Sequence, residues 1–260
     1  MSASLKSVAS SSARDRMSKD EWEVRVDLAA AYQLAAIFRW TDLIYTHFSA
    51  RVPGTDDILI NPYGLMFDEI TASNLVKIDM TGNVLDDPTG MGVNHAGFVI
   101  HGCVHQTRQE INCVLHTHTR AGVAVSAQKC GLLPLSQHAM RVQAQVTYHD
   151  YEGVALEMDE RERLARDLGP TSKAMILRNH GLLTLGESVR EAFELMWYLD
   201  CACQIQVDAL AGGIDNALLM PEHAAQTAAA QLQRPNRPAQ TKDWPALLRL
   251  LDRKGINYRG

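Results

Sequence analysis

Two of the ten histidines in this 260-residue chain, His116 and His118, sit one residue apart in "INCVLHTHT". That stretch is rich in apolar and β-branched residues and predicts a strand. Side chains two positions apart on a strand leave from the same face, so both imidazoles can reach one cation; the same spacing on a helix would separate them. A third histidine, His180, follows the apolar run "AMIL" in "RNHG". It falls at a predicted strand end, where a side chain can turn into a cleft and Gly181 permits a tight backbone. Three neutral imidazoles around an open position describe a catalytic Zn²⁺ site. They would also hold Fe²⁺, Mn²⁺ or Co²⁺, because histidine alone does not select the metal. The competing reading is two histidines that happen to share a strand face, and spacing alone leaves both open.

The elements that must position these residues can be read along the chain. Ser18 with Glu21 forms a capping box. It opens a helix, with Trp22, Val26, Ala29, Ala30 and Ile37 on one face, expected to end near Trp40–Thr41. "HFSARV" and "DILINP" have strand character, "ASNLVKID" a short helix capped by Thr71, and "TGNVL" a turn followed by a strand. A helix is expected from about His95 to Thr107, another over "RAGVAVSAQ". "KCGLLPLSQH" and "RVQAQVTYHDYEG" suit loops and strand; His149 and Asp150 of the latter are taken as loop residues, not as a second metal site. "ERERLARDLG" is a polar helix ended by Gly169, and "KAMILRNHGLLTLG" a strand, a turn and a strand. Ser188 and Glu191 cap a long helix, about 189–211, ended by Gly212–Gly213. The division expected is a disordered tail over 1–17, one α/β domain over 18–213, and a helical extension over 214–260 containing the linker "RPNRPAQ". Helices interspersed with short strands indicate a three-layer α/β/α arrangement around a largely antiparallel or mixed sheet.

Composition narrows the function classes. The net charge of −5 and the pI near 6.0 provide no electrostatic footprint for nucleic acid. No apolar run reaches the roughly 18 residues of a membrane span. The Ser-rich start lacks the apolar segment of a secretory signal, so a cytoplasmic protein is expected. Five cysteines, an odd number in a chain this long, do not suggest a disulfide framework.

Longer segments carry a family likeness. "RWTDLIYTHFSARVPG", "LINPYGLMFDEITASNLVKID", "GVNHAGFVIH", "VLHTHT", "SAQKCGLLPLS", "YHDYEG" and "ILRNHGLLTLGESVREAF" together resemble the class II aldolase/adducin family, most closely its adducin-head branch. They span about residues 38 to 212. The resemblance implies a class II aldolase-like α/β/α fold and a homo-oligomer, commonly a homotetramer, with sites near subunit interfaces. It also implies Zn²⁺ held by His116, His118 and His180.

This sequence departs from the family's sugar-phosphate aldolases at the positions that matter for their chemistry. Their catalytic Glu, in "P-S-S-E" before an "F-x-x-H" helix, falls at Gly97. Their "G-N-x-S" phosphate loop reads "THFS", where only Ser49 survives, and their "T-P-S-G" reads "NPYG". A retro-aldol cleavage needs a base, whereas decarboxylation of a β-keto acid needs only stabilisation of the electrons that CO₂ leaves behind. The expectation is a metal-dependent carbon–carbon lyase, aldolase- or decarboxylase-type, acting on a small oxygenated acid or sugar-derived substrate. His95, His47 and Tyr63 are the catalytic candidates, with Ser49, Asn94 and Arg120 as substrate contacts. His95 could equally cap the helix it begins, Arg120 could be a surface residue, and His101 could serve structure as well as catalysis. A non-catalytic adducin-head-like module for oligomerisation or cytoskeletal binding is the alternative, and an Fe-dependent oxygenase on the same histidines a third.

Overall fold

The computed structural model of the chain describes residues 13–153, 160–232 and 242–260. Most of the expected tail 1–17 and the linker "RPNRPAQ" lie outside the described residues. Helix α1 (Lys19–Ile37) begins where the Ser18 hydroxyl accepts the Glu21 N–H, as the capping box requires. It stops at Ile37, short of the expected Trp40–Thr41, because Arg39 adopts a left-handed φ of 61° that a helix cannot continue through. A loop then leads into strand β1 (His47–Arg51).

Eight strands form one sheet in the order β4-β3-β2-β1-β5-β8-β7-β6. They are β1, β2 (Ile58–Ile60), β3 (Val76–Ile78), β4 (Val84–Asp86), β5 (Cys113–Thr117), β6 (Val146–His149), β7 (Ala174–Leu177) and β8 (Gly181–Gly186). Every pairing is antiparallel except β6 with β7, so the sheet is mixed, as expected. Side-chain alternation divides it into two apolar faces. Phe48, Ala50, Leu59, Cys113, Leu115, Ile176 and Leu182 enter one core with α1 and α6 (Val189–Ala209). Val114, Met175, Leu177, Leu183 and Leu185 enter another with α2 (His95–Thr107) and α5 (Glu160–Leu168). Helices therefore cover both faces, which makes the α/β/α sandwich.

Two local expectations change. Residues 72–79 were expected to be helical, but 72–74 turn and Val76–Ile78 is a strand. The period of two prevails there: Val76 and Ile78 pack with Ile58, Ile60 and Phe98, while Lys77 reaches Glu21 on the opposite side. Thr71 does not cap a helix; its N–H donates to Asn74 Oδ1. Helix α4 (Gln137–Val142) crosses a stretch read as loop and strand. Its six residues are too few for a visible period. The Ser136 hydroxyl caps it, and Ala139, Met140 and Val142 are buried.

Helices α3 (Arg120–Ser126), α7 (Glu222–Leu232) and α8 (Asp243–Arg253) complete the described chain. The residues after 213 share the α1-side core: Trp244, Leu251 and Tyr258 are buried in it, and Ala72 N–H donates to Tyr258 O at 2.9 Å. No helix among the described residues is long and apolar enough to cross a membrane. All five cysteines are free thiols.

Candidate metal centre

The three central strands β1, β5 and β8 build the site. On β5, Cys113 and Leu115 face the α1-side core, so His116 must leave on the α2 side. His118, just beyond the strand, follows the same alternation. His180 ends the β7–β8 turn, whose His180 N–H donates to Leu177 O at 3.1 Å. Asn179 takes the left-handed position of that turn with φ 56°, a conformation Asn tolerates better than most residues. Gly181 then begins β8 so close to β5 that a Cβ on it would lie 2.4 Å from the Thr117 carbonyl oxygen. Glycine is required there by proximity, and it lets His180 stand over His116 and His118.

The three rings form a nearly equilateral cluster, with centroids 4.7, 4.8 and 4.8 Å apart. One ligand atom from each lies within 4.8 Å of the others. His116 Nδ1 lies 3.0 Å from the Leu182 carbonyl oxygen, and His118 Nδ1 lies 2.9 Å from Asp42 Oδ2. Both partners can only accept, so both Nδ1 atoms carry the proton. A neutral ring in that tautomer keeps its lone pair on Nε2, and the two Nε2 atoms lie 2.9 Å apart. Two lone pairs aimed at one another repel; a cation between them turns that repulsion into coordination. The donor set therefore fits a divalent metal of the imidazole-binding kind. Burial, then the neighbouring His180 and His118, holds His116 far below the ordinary histidine range. Burial, then His118, lowers His180 to about 4. Neutral rings are the ligand form.

Residues 26–207 match the family described as Class II Aldolase and Adducin N-terminal domain. The chain belongs to the class II aldolase/adducin family. An aldolase II superfamily protein from Pseudomonas syringae, known from a crystal structure, is 55% identical, with a TM-score of 0.91 over 96% of this chain and 100% of that one. An L-fuculose 1-phosphate aldolase from Glaciozyma antarctica is 26% identical, with a TM-score of 0.81 over 92% of this chain and 93% of that one. Alpha-adducin of Rattus norvegicus is 42% identical over 261 aligned residues, which cover 93% of this chain and 35% of the adducin.

This class II aldolase/adducin chain places a second set of imidazoles beside the first. His47 pairs across the sheet with His116, their ring centroids 5.4 Å apart. A Cβ on Gly97 would lie 2.4 Å from His47 Cδ2 and 2.5 Å from its Nε2. The His47 ring thus fills the space that any side chain at position 97 would need. His47 Nδ1 lies 2.8 Å from His101 Nε2. His101 Nδ1 lies 2.6 Å from Ser49 Oγ, and Ser49 Oγ lies 2.8 Å from His105 Nε2. All four residues are buried. Burial lowers His47 to about 3, aided by His118 and His180, and lowers His105 to about 3, aided by Arg51.

The remaining expected site residues lie as follows. Ser49 is wholly buried between His101 and His105, so its hydroxyl is engaged inside the protein. His95 is exposed at the first position of α2, directly after the half-buried Asn94. Tyr63 is 39% exposed after β2, and Arg120 is exposed at the start of α3. Among the described residues, none of His95, Tyr63 and Arg120 makes a hydrogen bond to the three imidazoles. His149 is not a loop residue: it ends β6, buried, with Nδ1 2.8 Å from Asp167 Oδ2. Asp42 and the Leu182 carbonyl were missed in the sequence. Asp42 lies 76 positions before His118, and no local spacing joins them.

Proposed function

We propose that the protein is a metal-dependent carbon–carbon lyase, of the decarboxylase type in preference to the aldolase type, acting on a small oxygenated acid or sugar-derived substrate. The observation that carries this reading is the approach of His116 Nε2 and His118 Nε2 to 2.9 Å, with His180 closing the cluster. A divalent cation there, Zn²⁺ first, supplies Lewis-acid stabilisation of negative charge developing on a substrate oxygen.

The chain's own residues favour loss of CO₂. No carboxylate stands at Gly97, and the group occupying that volume is His47. An imidazole held near 3 is neutral at physiological pH and removes a proton reluctantly. It remains a good hydrogen-bonding group at Nε2, oriented through its Nδ1 contact with His101. In decarboxylation the C–C bond to the carboxylate breaks and CO₂ leaves. The electron pair stays on the substrate carbon until a proton arrives, so no strong base is demanded. The likeness to an L-fuculose 1-phosphate aldolase supports lyase chemistry in general. We further propose that His95, Tyr63, Asn94 and Arg120 lie on the substrate's approach to the centre. We place the protein in the cytoplasm as a homo-oligomer. Leu43, Tyr45 and Tyr151, exposed on the loop that carries Asp42 and beside His180, suit a subunit contact.

The test is a screen of the protein, loaded with Zn²⁺, Fe²⁺, Mn²⁺ or Co²⁺, against small β-keto acids, hydroxy acids and sugar-derived acids, reading CO₂ or aldehyde release. Turnover that disappears in His116→Ala is the expected result. Wild-type protein that retains none of these metals, with His116→Ala indistinguishable from it, would sink the enzyme reading. The similarity to alpha-adducin would then favour a non-catalytic oligomerisation module.

A further inference from the structure

The proposal concerns Asp42, and it rests on the metal reading above. Asp42 lies in the loop between α1 and β1, and its carboxylate Oδ2 accepts from His118 Nδ1 at 2.9 Å. Its side chain is 47% exposed and that of His118 24%, so the pair sits at the rim of the centre. Among the described residues Asp42 has no other ionic partner.

The loop itself is constrained in an unusual way. Arg39, Leu43 and Thr46 all adopt left-handed φ values, 61°, 51° and 70°, and none is glycine or asparagine. Such conformations persist only where surrounding contacts over-determine them. Trp40 anchors the start of the loop, buried, with its indole N–H donating to Asp200 Oδ2 at 2.9 Å. The far end is fixed by β1. Between these anchors, Tyr45 N–H donates to Asp42 O at 2.8 Å, which turns the loop back on itself and aims the carboxylate at His118. The backbone is thus held in costly conformations at the place that delivers one carboxylate to one ligand ring.

We infer that Asp42 is the positioning carboxylate of the metal centre, and that it couples occupancy of the centre to the order of the 38–46 loop. Three physical effects act through this one contact. The carboxylate keeps the His118 proton on Nδ1, which leaves Nε2 free to coordinate. It strengthens the ring as a donor. It also places one negative charge beside a centre whose three ligands are neutral. Partners of this kind alter metal affinity by about 10- to 100-fold. The same hydrogen bond runs in the other direction: a ring fixed by coordination becomes a fixed donor for Asp42, and the loop gains an anchor at its middle.

The experiment measures Zn²⁺ affinity of the full chain by chelator competition in wild type, Asp42→Ala and Asp42→Asn, together with the visible spectrum of the Co²⁺ forms. Backbone amide exchange over 38–46 is followed with and without Zn²⁺. Expected are a 10- to 100-fold loss of affinity in Asp42→Ala, a smaller loss in Asp42→Asn, which keeps an acceptor without the charge, and a shifted Co²⁺ spectrum in both. Zn²⁺ should slow exchange in the loop of wild type and leave that of Asp42→Ala unchanged. If wild type binds one Zn²⁺ and folded Asp42→Asn and Asp42→Ala bind it equally tightly, the proposal is overturned and the metal reading survives. If wild type binds no Zn²⁺, both fall together.

Discussion

Two groups of histidines share the α2-side face of the sheet, and they differ in where the spare nitrogen points. In the cluster of His116, His118 and His180, the Nδ1 atoms of the first two are tied to fixed acceptors and their Nε2 atoms converge. In the chain of His47, His101, Ser49 and His105, each contact is a ring nitrogen meeting another ring or a hydroxyl. One group brings two Nε2 atoms together beside a third ring; the other makes its contacts within itself and leaves His105 Nδ1 buried without a partner. The difference teaches that histidine content and burial do not make a ligand site. A site requires nitrogen lone pairs that the protein itself leaves without a hydrogen.

The largest effect should separate the two groups outright. His116→Ala should lose stoichiometric Zn²⁺, read by elemental analysis after dialysis, while the folded chain persists. Ser49→Ala should keep its Zn²⁺, because Ser49 touches only the second group.

Acid should strike the second group through stability. Burial holds His47 and His105 near 3, below the ordinary 6.5 of an unfolded chain. Between those values the unfolded chain binds protons that the native state refuses, so stability falls as pH falls. It should be level above about pH 6.5. Below that it should decline by about 3 kcal/mol per pH unit from this pair alone, at about 1.4 per histidine. Urea unfolding of the metal-free protein at several pH values checks this; a midpoint that is flat from pH 7 to pH 4 would contradict the buried, neutral assignment.

The smallest effects are local. Ser49→Ala leaves two buried ring nitrogens without their partner and should cost about 1–3 kcal/mol. Gly97→Ala forces a Cβ against His47, and overpacking of this kind costs about 1–3 kcal/mol. Adding His47→Ala to Gly97→Ala should recover part of that loss. If the double variant were less stable than the sum of the two single ones, the steric relation between positions 47 and 97 would be wrong.

Much of this was legible in the chain. α2 begins and ends at His95 and Thr107 as expected, and α6 begins after Ser188 as its capping box required. These elements carry their own signals: caps, glycines and long apolar periods. The three-histidine cluster was also legible, because strand alternation acts over two residues and the family motifs fix His180. What was hidden depends on contacts far apart in sequence. Asp42 shows no pattern that points to His118. Ser49 could be read as a polar contact for a ligand until His101 and His105, more than 50 residues away, were seen to close on it. Gly97 marked a missing carboxylate in the sequence, but only three dimensions show that His47 had taken its room.

Gly181 acts as a spacer gauge for the centre. It touches no ligand atom, yet the gap it leaves at the Thr117 carbonyl sets how near β8 lies to β5. His180 immediately precedes β8, and His116 lies on β5. A wider residue at 181 would push the strands apart and enlarge the space between the rings. The spacing of the three rings is therefore set partly by a residue with no side chain.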